Sequence, residues 1–214
     1  MKIYCVSGLG ADERVFDYLD LPEVDLCFIK WIKPLKSESL ASYCSRLIDQ
    51  IDLSQNIYLL GVSFGGIVCQ EISKLITCKK IIIISSIKSR DEMSTQMKSV
   101  GSIGLHKILP NWLIKWSNLK SADHVFGTKT KQESLLLKNI IQDTDFDFSK
   151  WAIEEIINWK NNSTYPNLVH IHGTEDLIFP VKYIKHAILI KGGTHFMIVN
   201  RASEINKIIL DNIV

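Results

Sequence analysis

The sequence lacks the features that mark a secreted, membrane-embedded or nucleic-acid-binding protein. It opens with "MKIYCVSG", which reaches a glycine turn too early for a signal segment, and no apolar run approaches membrane-spanning length. Lys+Arg 25 and Asp+Glu 23 are mixed along the chain and leave a formal net charge of only +2. No basic stripe is available for nucleic acid or an anionic surface. We therefore expect a cytoplasmic protein with neither nucleic acid nor a membrane as partner.

The sequence is also poor in patterns that bind metals or cofactors. Its odd number of cysteines, widely spaced and without a Cys-x-x-Cys pair, predicts reduced, buried thiols at Cys5, Cys27, Cys44, Cys69 and Cys78. No His, Cys and Asp residues cluster at ligand spacing. "SGLGAD" has two glycines but lacks the third of a dinucleotide-binding turn. The sequence predicts no metal ion and no organic cofactor.

What the sequence does contain is a regular alternation of strand and helix patterns. Of its 214 residues, 46% are hydrophobic, which is enough for one large core. Apolar runs with little polar alternation predict strands at "KIYCV", "VDLCFIKWI", "NIYLLGV", "KKIIIISS", "NLVHIHG" and "HAILI". Helical spacing follows several of them, as between Ser39 and Asp52. The fold class is α/β: a mostly parallel sheet with helices on both faces.

One stretch departs from this alternation and predicts a helical insertion. Between residues 87 and 165 strand patterns disappear, and helices are predicted at 94–100, 111–119, 130–141 and 148–160. The core would then comprise residues 1–86 and 166–214. Four of the five tryptophans lie in the insertion: Trp112, Trp116, Trp151 and Trp159. They either pack the insertion onto the core or line an apolar pocket.

The stretch "GVSFGG" places Ser63 at the junction of a strand and a helix. The small neighbours Gly61, Gly65 and Gly66 allow a tight turn from which the serine side chain projects at the carboxyl edge of the sheet. The following helix begins there, and its free N–H groups favour negative charge near the serine oxygen. Ser63 could instead be a helix cap. The strand-turn-helix context favours a nucleophile.

A serine nucleophile needs a base and a carboxylate that orients it, and two further strand-end loops supply them. His195 lies in "KGGTHF" after the last predicted strand, and Asp176 lies in "HGTEDLIFP" after the strand before it. Both loops fall on the same edge of a parallel sheet as Ser63, the edge where such sheets bind ligands. His172 is expected to support its turn. Asp91 and Glu92 are rival acids, and Glu175 is expected to face outward.

With these three loops in this order, the chain resembles the α/β-hydrolases. The resemblance implies that Ser63 is the nucleophile, His195 the base and Asp176 the acid, and that residues 87–165 form a cap. It also implies an oxyanion hole made by the backbone N–H groups of Leu9 and Phe64. Ser7 stands where the family usually has a histidine that anchors this loop. The chain begins at the strand before that loop, so we expect a bare sheet edge, which a second copy could cover in a homodimer.

The implied reaction is cleavage of a carboxylic ester or thioester by an esterase-like hydrolase. An apolar acyl or alcohol portion of a small-molecule substrate is expected from the cap, with Trp112, Trp116 and Trp151 as candidate substrate-binding residues. Two alternatives stay open at this point. One is a ligand-binding protein of the same fold with little turnover, and the other is a carbon–carbon bond hydrolase or lyase that uses the same three residues.

Overall fold

In the computed structural model, six parallel strands form one sheet whose order places the chain's third strand near the centre. The structure describes residues 1–103, 121–163 and 165–213, with the backbone alone at 100–103. The strand order is β2-β1-β3-β4-β5-β6. The strands are β1 Lys2–Val6, β2 Asp25–Phe28, β3 Tyr58–Val62, β4 Lys80–Ile84, β5 Leu168–Gly173 and β6 Ile188–Ile190.

Helices connect the strands and cover both faces of the sheet. The α-helices with both ends in the described residues are α1 Leu40–Leu47, α2 Phe64–Ile72, α3 Thr95–Ile103, α4 Lys131–Asp143, α5 Phe146–Asn158, α6 Met197–Asn200 and α7 Ala202–Ile213. Residues 121–126 are also helical. Short 3₁₀ turns include Glu13–Phe16 after β1 and Ile48–Gln50 after α1. The predicted α/β class, a parallel sheet between helices, is therefore confirmed.

Alternate residues of the strands feed two separate cores. On one face Tyr4 and Val6 of β1 pack with Leu59 and with α1, α2 and α5. On the other, Ile3 and Cys5 pack with Leu60 and with α4, α6 and α7. Because successive side chains of a strand point to opposite faces, strands covered on both sides have no polar alternation. This arrangement is the physical reason for the apolar runs in the sequence.

Some predicted elements differ from the observed ones at their ends. The strand predicted at "VDLCFIKWI" extends only from Asp25 to Phe28, because it pairs with β1 alone over four residues. The predicted helix from Ser39 to Asp52 is an α-helix only to Leu47 and ends in a 3₁₀ turn. The helix predicted at 111–119 lies outside the described residues.

The described part of residues 87–165 is helical and contains no strand. Helix α4 is capped by Thr130, whose side chain accepts the Glu133 N–H, and α5 is capped by Asp145, whose carboxylate accepts the Phe148 N–H. Such capping bonds satisfy N–H groups that the first helical turn leaves unpaired.

Of the described helices, none is long and apolar enough to cross a membrane. The five cysteines are free thiols, all buried except the half-buried Cys27.

Candidate active site

The turn at Ser63 has the strained backbone that its sequence predicts. Ser63 lies between β3 and α2 with φ 53° and ψ −119°, a left-handed region that non-glycine residues rarely adopt. Its side chain makes no capping hydrogen bond with α2. The alternative that Ser63 serves only as a helix cap is therefore wrong. Ser63 is half-buried and lines a cavity.

The glycines around Ser63 are required by close approach. A Cβ on Gly65 would lie 2.1 Å from the carbonyl oxygen of Val6, and a Cβ on Gly61 would lie 2.4 Å from that of Gly65. Real Cβ atoms do not approach backbone this closely, so any larger residue would push α2 away from β1. These contacts bring the start of α2 against the loop that follows β1.

Three side chains predicted from separate loops meet at the carboxyl edge of the sheet. The Nε2 atom of His195 lies 2.9 Å from the Oγ of Ser63, and its Nδ1 lies 2.8 Å from the Oδ2 of Asp176. An ionised carboxylate can only accept, so Nδ1 carries the proton and Nε2 accepts the serine hydroxyl. His195 and Asp176 are 4% and 3% exposed, which shields this chain of hydrogen bonds from water.

The loop that holds Asp176 keeps its carboxylate ionised. Its other oxygen, Oδ1, accepts the N–H groups of Ile178 and Phe179, each at 2.9 Å. Burial acts to raise the pKa of Asp176, but the electrostatic interaction and hydrogen bond with the His195 ring, the interaction with the His172 ring and the hydrogen bond from the Phe179 N–H outweigh it. The pKa of Asp176 therefore lies below its usual value, and the group is a carboxylate near neutral pH.

The rival acids and histidines have other contacts. Glu92 is buried and accepts the Lys88 and Lys185 N–H groups, Asp91 is exposed, and Glu175 is exposed opposite Lys129. His172 is buried with its Nε2 2.8 Å from the Phe179 carbonyl oxygen, so it holds the acid loop as expected. Burial lowers the pKa of His172 and, to about 3, that of His170. Both rings are neutral near pH 7.

Two backbone N–H groups near Ser63, those of Leu9 and Phe64, are the ones predicted to hold an oxyanion. Phe64 is the first residue of α2, so its N–H has no partner within the helix. The Leu9 N–H, in the loop after β1, donates to no other group in the part of the chain that the structure describes. That loop is close to Ser63, since a Cβ on Gly8 would lie 3.5 Å from the serine Cβ. The chain segments that carry the Leu9 and Phe64 N–H groups thus both lie next to Ser63.

An apolar cavity of about 480 Å³ opens beside Ser63 and His195. Among the described residues that line it, none carries an Asp, Glu, Lys or Arg side chain, and its polar groups are few, notably Ser94, Gln96 and Thr144. The apolar lining comes from the helical insertion as well as the core, and includes Phe126, Leu137, Ile141, Ile156 and Phe179. The site is therefore an apolar pocket, without charged side chains among its described lining residues, beside the Ser63 hydroxyl.

Of the three tryptophans predicted to bind substrate, the structure describes Trp151. Trp112 and Trp116 lie outside the described residues. Trp151 is not among the described residues that line the cavity; its ring lies 4.4 Å from Tyr43, and its indole N–H donates to the Glu38 carbonyl. Trp159 is buried and donates to Glu71. For these last two, the contacts fit the packing interpretation. Phe126, which lies edge-on to the His195 ring, was missed, because no local pattern marks it.

Comparison with known proteins identifies the fold. No protein-family model matches the sequence, and no curated protein matches it. Solved structures match over nearly its whole length. An esterase from Exiguobacterium antarcticum is 16% identical with a TM-score of 0.75, covering 99% of this chain and 91% of that one. A thermophilic esterase from Thermogutta terrifontis is 13% identical with a TM-score of 0.72, covering 99% and 88%.

A lipase-esterase related protein from Clostridium acetobutylicum is similar to the same extent, at 18% identity and a TM-score of 0.70, covering 99% of this chain and 94% of that one. Together with the six-stranded parallel sheet, these likenesses establish the class: the protein has the α/β-hydrolase fold. At such low identity they establish the fold alone, so activity must be argued from the site.

Proposed function

We propose that the protein is a serine hydrolase that cleaves a carboxylic ester or a thioester through an acyl-enzyme. The observation that carries this proposal is the continuous hydrogen-bond chain from Ser63 through His195 to Asp176 at the mouth of an apolar cavity. Esterases among the proteins of similar structure agree with it. We expect a small-molecule substrate, no metal or cofactor in the reaction, and a cytoplasmic location.

In the first half of the proposed reaction, the Ser63 oxygen attacks the substrate carbonyl carbon while His195 Nε2 takes the serine proton. The tetrahedral intermediate then collapses, and His195 returns that proton to the leaving alcohol or thiol. Asp176 keeps Nδ1 protonated and stabilises the imidazolium. In the second half, water attacks the carbonyl carbon of the acyl-enzyme and gives a proton to His195. The second tetrahedral intermediate then collapses, the bond to the serine oxygen breaks, His195 returns the proton to that oxygen, and the acid leaves.

The negative oxygen of each tetrahedral intermediate would be held by the Leu9 and Phe64 N–H groups. Both are free to donate, and Phe64 adds the positive end of the α2 dipole. Removing one such donor typically costs about 2.7 to 4 kcal/mol of transition-state stabilisation. We assign the described helices of residues 87–165 to a cap, because the side chains of these helices line the cavity together with those of the core.

The cavity indicates the substrate portion that fits beside Ser63. Its apolar lining without charged side chains favours a neutral hydrocarbon part and disfavours a charged one, which would lose its hydration without gaining a partner. We therefore propose an ester with an apolar acyl or alcohol group. Whether two copies pair along a sheet edge stays a prediction.

A panel of p-nitrophenyl esters from acetyl to dodecanoyl tests this function. We expect the wild-type protein to hydrolyse them with a preference for apolar acyl chains of intermediate length. Ser63→Ala should lose about 10⁴-fold or more of kcat. Turnover that survives this substitution would remove the nucleophilic role, and a wild-type protein that binds esters without hydrolysing them would favour the ligand-binding alternative.

A further inference from the structure

The loop between β1 and the first 3₁₀ turn is held by a side chain from the neighbouring strand end. The Trp31 indole N–H is shared between the Ser7 Oγ and the Ala11 carbonyl oxygen, each at 3.0 Å. The Ser7 hydroxyl in turn donates to the same carbonyl at 2.6 Å. Across the loop, the Ala11 N–H donates to Gly8 at 3.0 Å. These bonds close the loop around Leu9.

The face of the same indole packs against the other side of the site. Its ring stacks on Phe64 with centroids 5.5 Å apart and an interplanar angle of 22°. Phe64 is fully buried and directly follows Ser63. Trp31 therefore contacts both chain segments whose free N–H groups flank the serine, one through its nitrogen and the other through its ring.

Trp31 is itself held in place by its surroundings. The next residue, Ile32, exchanges two hydrogen bonds with the Tyr43 hydroxyl, which accepts the Ile32 N–H at 3.0 Å and donates to its carbonyl at 2.8 Å. The Trp31 ring also packs against Phe148 of α5, with centroids 5.1 Å apart. Because the backbone next to Trp31 and its ring are both held, Trp31 can fix the position of the loop that its indole contacts.

We propose that Trp31 is a positioning residue that sets the spacing between the Leu9 and Phe64 N–H groups of the oxyanion hole. This inference rests on the proposed hydrolase function. With serine at position 7, the loop has no ring of its own. Besides the bonds to Trp31, its Gly10 carbonyl accepts the Thr144 hydroxyl at 2.8 Å, but that hydroxyl lies equally close to the Ile140 carbonyl. Trp31, 24 residues further along the chain than Ser7, places a ring against the loop, and its hydrogen bond to Ser7 Oγ links the two.

Spacing matters here because an oxyanion is stabilised only when both donors reach it. The donors must lie about 2.7 to 3.1 Å from the oxygen in the intermediate. A misplacement of about 1 Å can cost about 10²-fold in rate. Loss of the Trp31 contact should therefore slow the chemical step and leave substrate binding in the apolar cavity unchanged.

The test is Trp31→Phe, which keeps a ring to stack on Phe64 and removes the N–H donor. Trp159→Phe is the matched control: it deletes another indole hydrogen bond, to Glu71 Oε1 at 2.6 Å, away from the cavity. Ser7→Ala is a second variant that leaves Trp31 intact and removes only the link through Oγ. Three quantities are measured: amide exchange in the peptide of residues 7–12, kcat and KM on a p-nitrophenyl ester, and Ki for a trifluoromethyl ketone.

The ketone is informative because Ser63 adds to it and generates an oxyanion, so its Ki reports the donors directly. We expect Trp31→Phe to exchange faster in the loop, to lose about 10- to 100-fold in kcat with KM changed less than about twofold, and to raise Ki by a similar factor. Ser7→Ala should show the same changes to a smaller extent, and Trp159→Phe none of them.

Failure of this inference differs from failure of the proposed function. If the wild type hydrolyses esters and Trp31→Phe keeps its kcat and Ki, the positioning role is overturned while the hydrolase function stands. If the wild type shows no turnover although Trp31→Phe loosens the loop, the hydrolase function fails while the anchoring contact is supported. A loss of kcat equal in Trp31→Phe and Trp159→Phe would reduce Trp31 to a packing residue and overturn the inference.

Discussion

The Ser86 hydroxyl donates a hydrogen bond of 2.7 Å to the carbonyl oxygen of Ser63 and so ties the strained turn to the end of β4. Ser86 fills the space above Gly66, where a Cβ would lie 2.5 Å from the Ser86 Oγ. The Ser63 N–H is held from the same strand, since it donates to the Ile84 carbonyl at 2.9 Å. With its N–H bonded to β4 and its carbonyl to Ser86 just beyond it, Ser63 is kept at a positive φ that an isolated turn would relax.

The close packing of this turn predicts that alanine destabilises the fold far more at one of its glycines than at another. Gly65→Ala would push a Cβ to 2.1 Å from the Val6 carbonyl, whereas Gly8→Ala would meet the Ser63 Cβ at an ordinary 3.5 Å. We expect Gly65→Ala to lower the free energy of unfolding by about 3 kcal/mol or more and Gly8→Ala by less than about 1 kcal/mol. Urea unfolding measures both. Equal losses would contradict the packing described for the turn.

A second prediction concerns Asp176. Asp176→Asn keeps an oxygen for the Ile178 and Phe179 N–H groups but cannot hold the proton on His195 Nδ1. We expect kcat to fall about 10⁴-fold because the imidazole adopts the wrong tautomer, with KM little changed. Glu175→Gln, at the exposed neighbour, is the control and should retain full activity. Activity that survives in Asp176→Asn would remove the orienting role.

The active-site loops could be predicted from the sequence, whereas the contacts that hold them could not. The Ser63 turn and the two loops that carry Asp176 and His195 were predictable because each is a local signal: an apolar run followed by glycine and one reactive side chain. In a parallel sheet, all strand ends after β1, β3, β5 and β6 share one edge, so the meeting of Ser63, Asp176 and His195 follows from topology.

Contacts made by packing could not be predicted in the same way. Trp31 follows β2, which also ends at this edge, but nothing in "IKWIK" shows that its N–H reaches Ser7. Trp151 and Trp159 have the sequence signature of either pocket or core residues, and only their partners, Glu38 and Glu71, distinguish the two. The limits of β2 depend on pairing with a single neighbour, which no residue pattern encodes.

A third prediction uses the cavity to set acyl-chain preference. Ile141 lines the cavity, and Leu135 lies on the same helix, α4, but is 61% exposed. Ile141→Trp should fill part of the 480 Å³ volume and lower kcat/KM for an octanoyl ester relative to an acetyl ester by about tenfold. Leu135→Trp is the matched control, expected to leave this ratio unchanged. An unchanged ratio in Ile141→Trp would place the acyl chain outside this cavity.

A fourth prediction concerns stability in acid. Burial lowers the pKa of His170 from 6.5 to about 3, and its Nε2 lies 3.0 Å from the Ser86 carbonyl oxygen. Between these pKa values the unfolded chain binds a proton on this ring that the folded protein does not. The free energy of unfolding therefore rises with pH across this window, by up to about 1.4 kcal/mol per pH unit, and the full stability is present above the unfolded pKa.

His170→Gln tests this account, because the amide can donate to the same carbonyl without titrating. We expect urea unfolding of the variant to depend less on pH than that of the wild type between about pH 4 and pH 6. Some dependence should remain, since the pKa of His172 is lowered too. If the free energy of unfolding changed equally with pH in the two proteins, His170 would not be a source of the pH dependence.

The central claim is that Ser63 is a nucleophile activated by His195. Treatment with a fluorophosphonate followed by intact-mass and peptide analysis measures this directly, since the reagent forms a covalent bond only with an activated serine. We predict one adduct per chain on the peptide containing Ser63, no adduct in Ser63→Ala, and labelling slowed by about 10³-fold or more in His195→Ala. An unlabelled wild-type protein, or an adduct on another residue, would contradict the account.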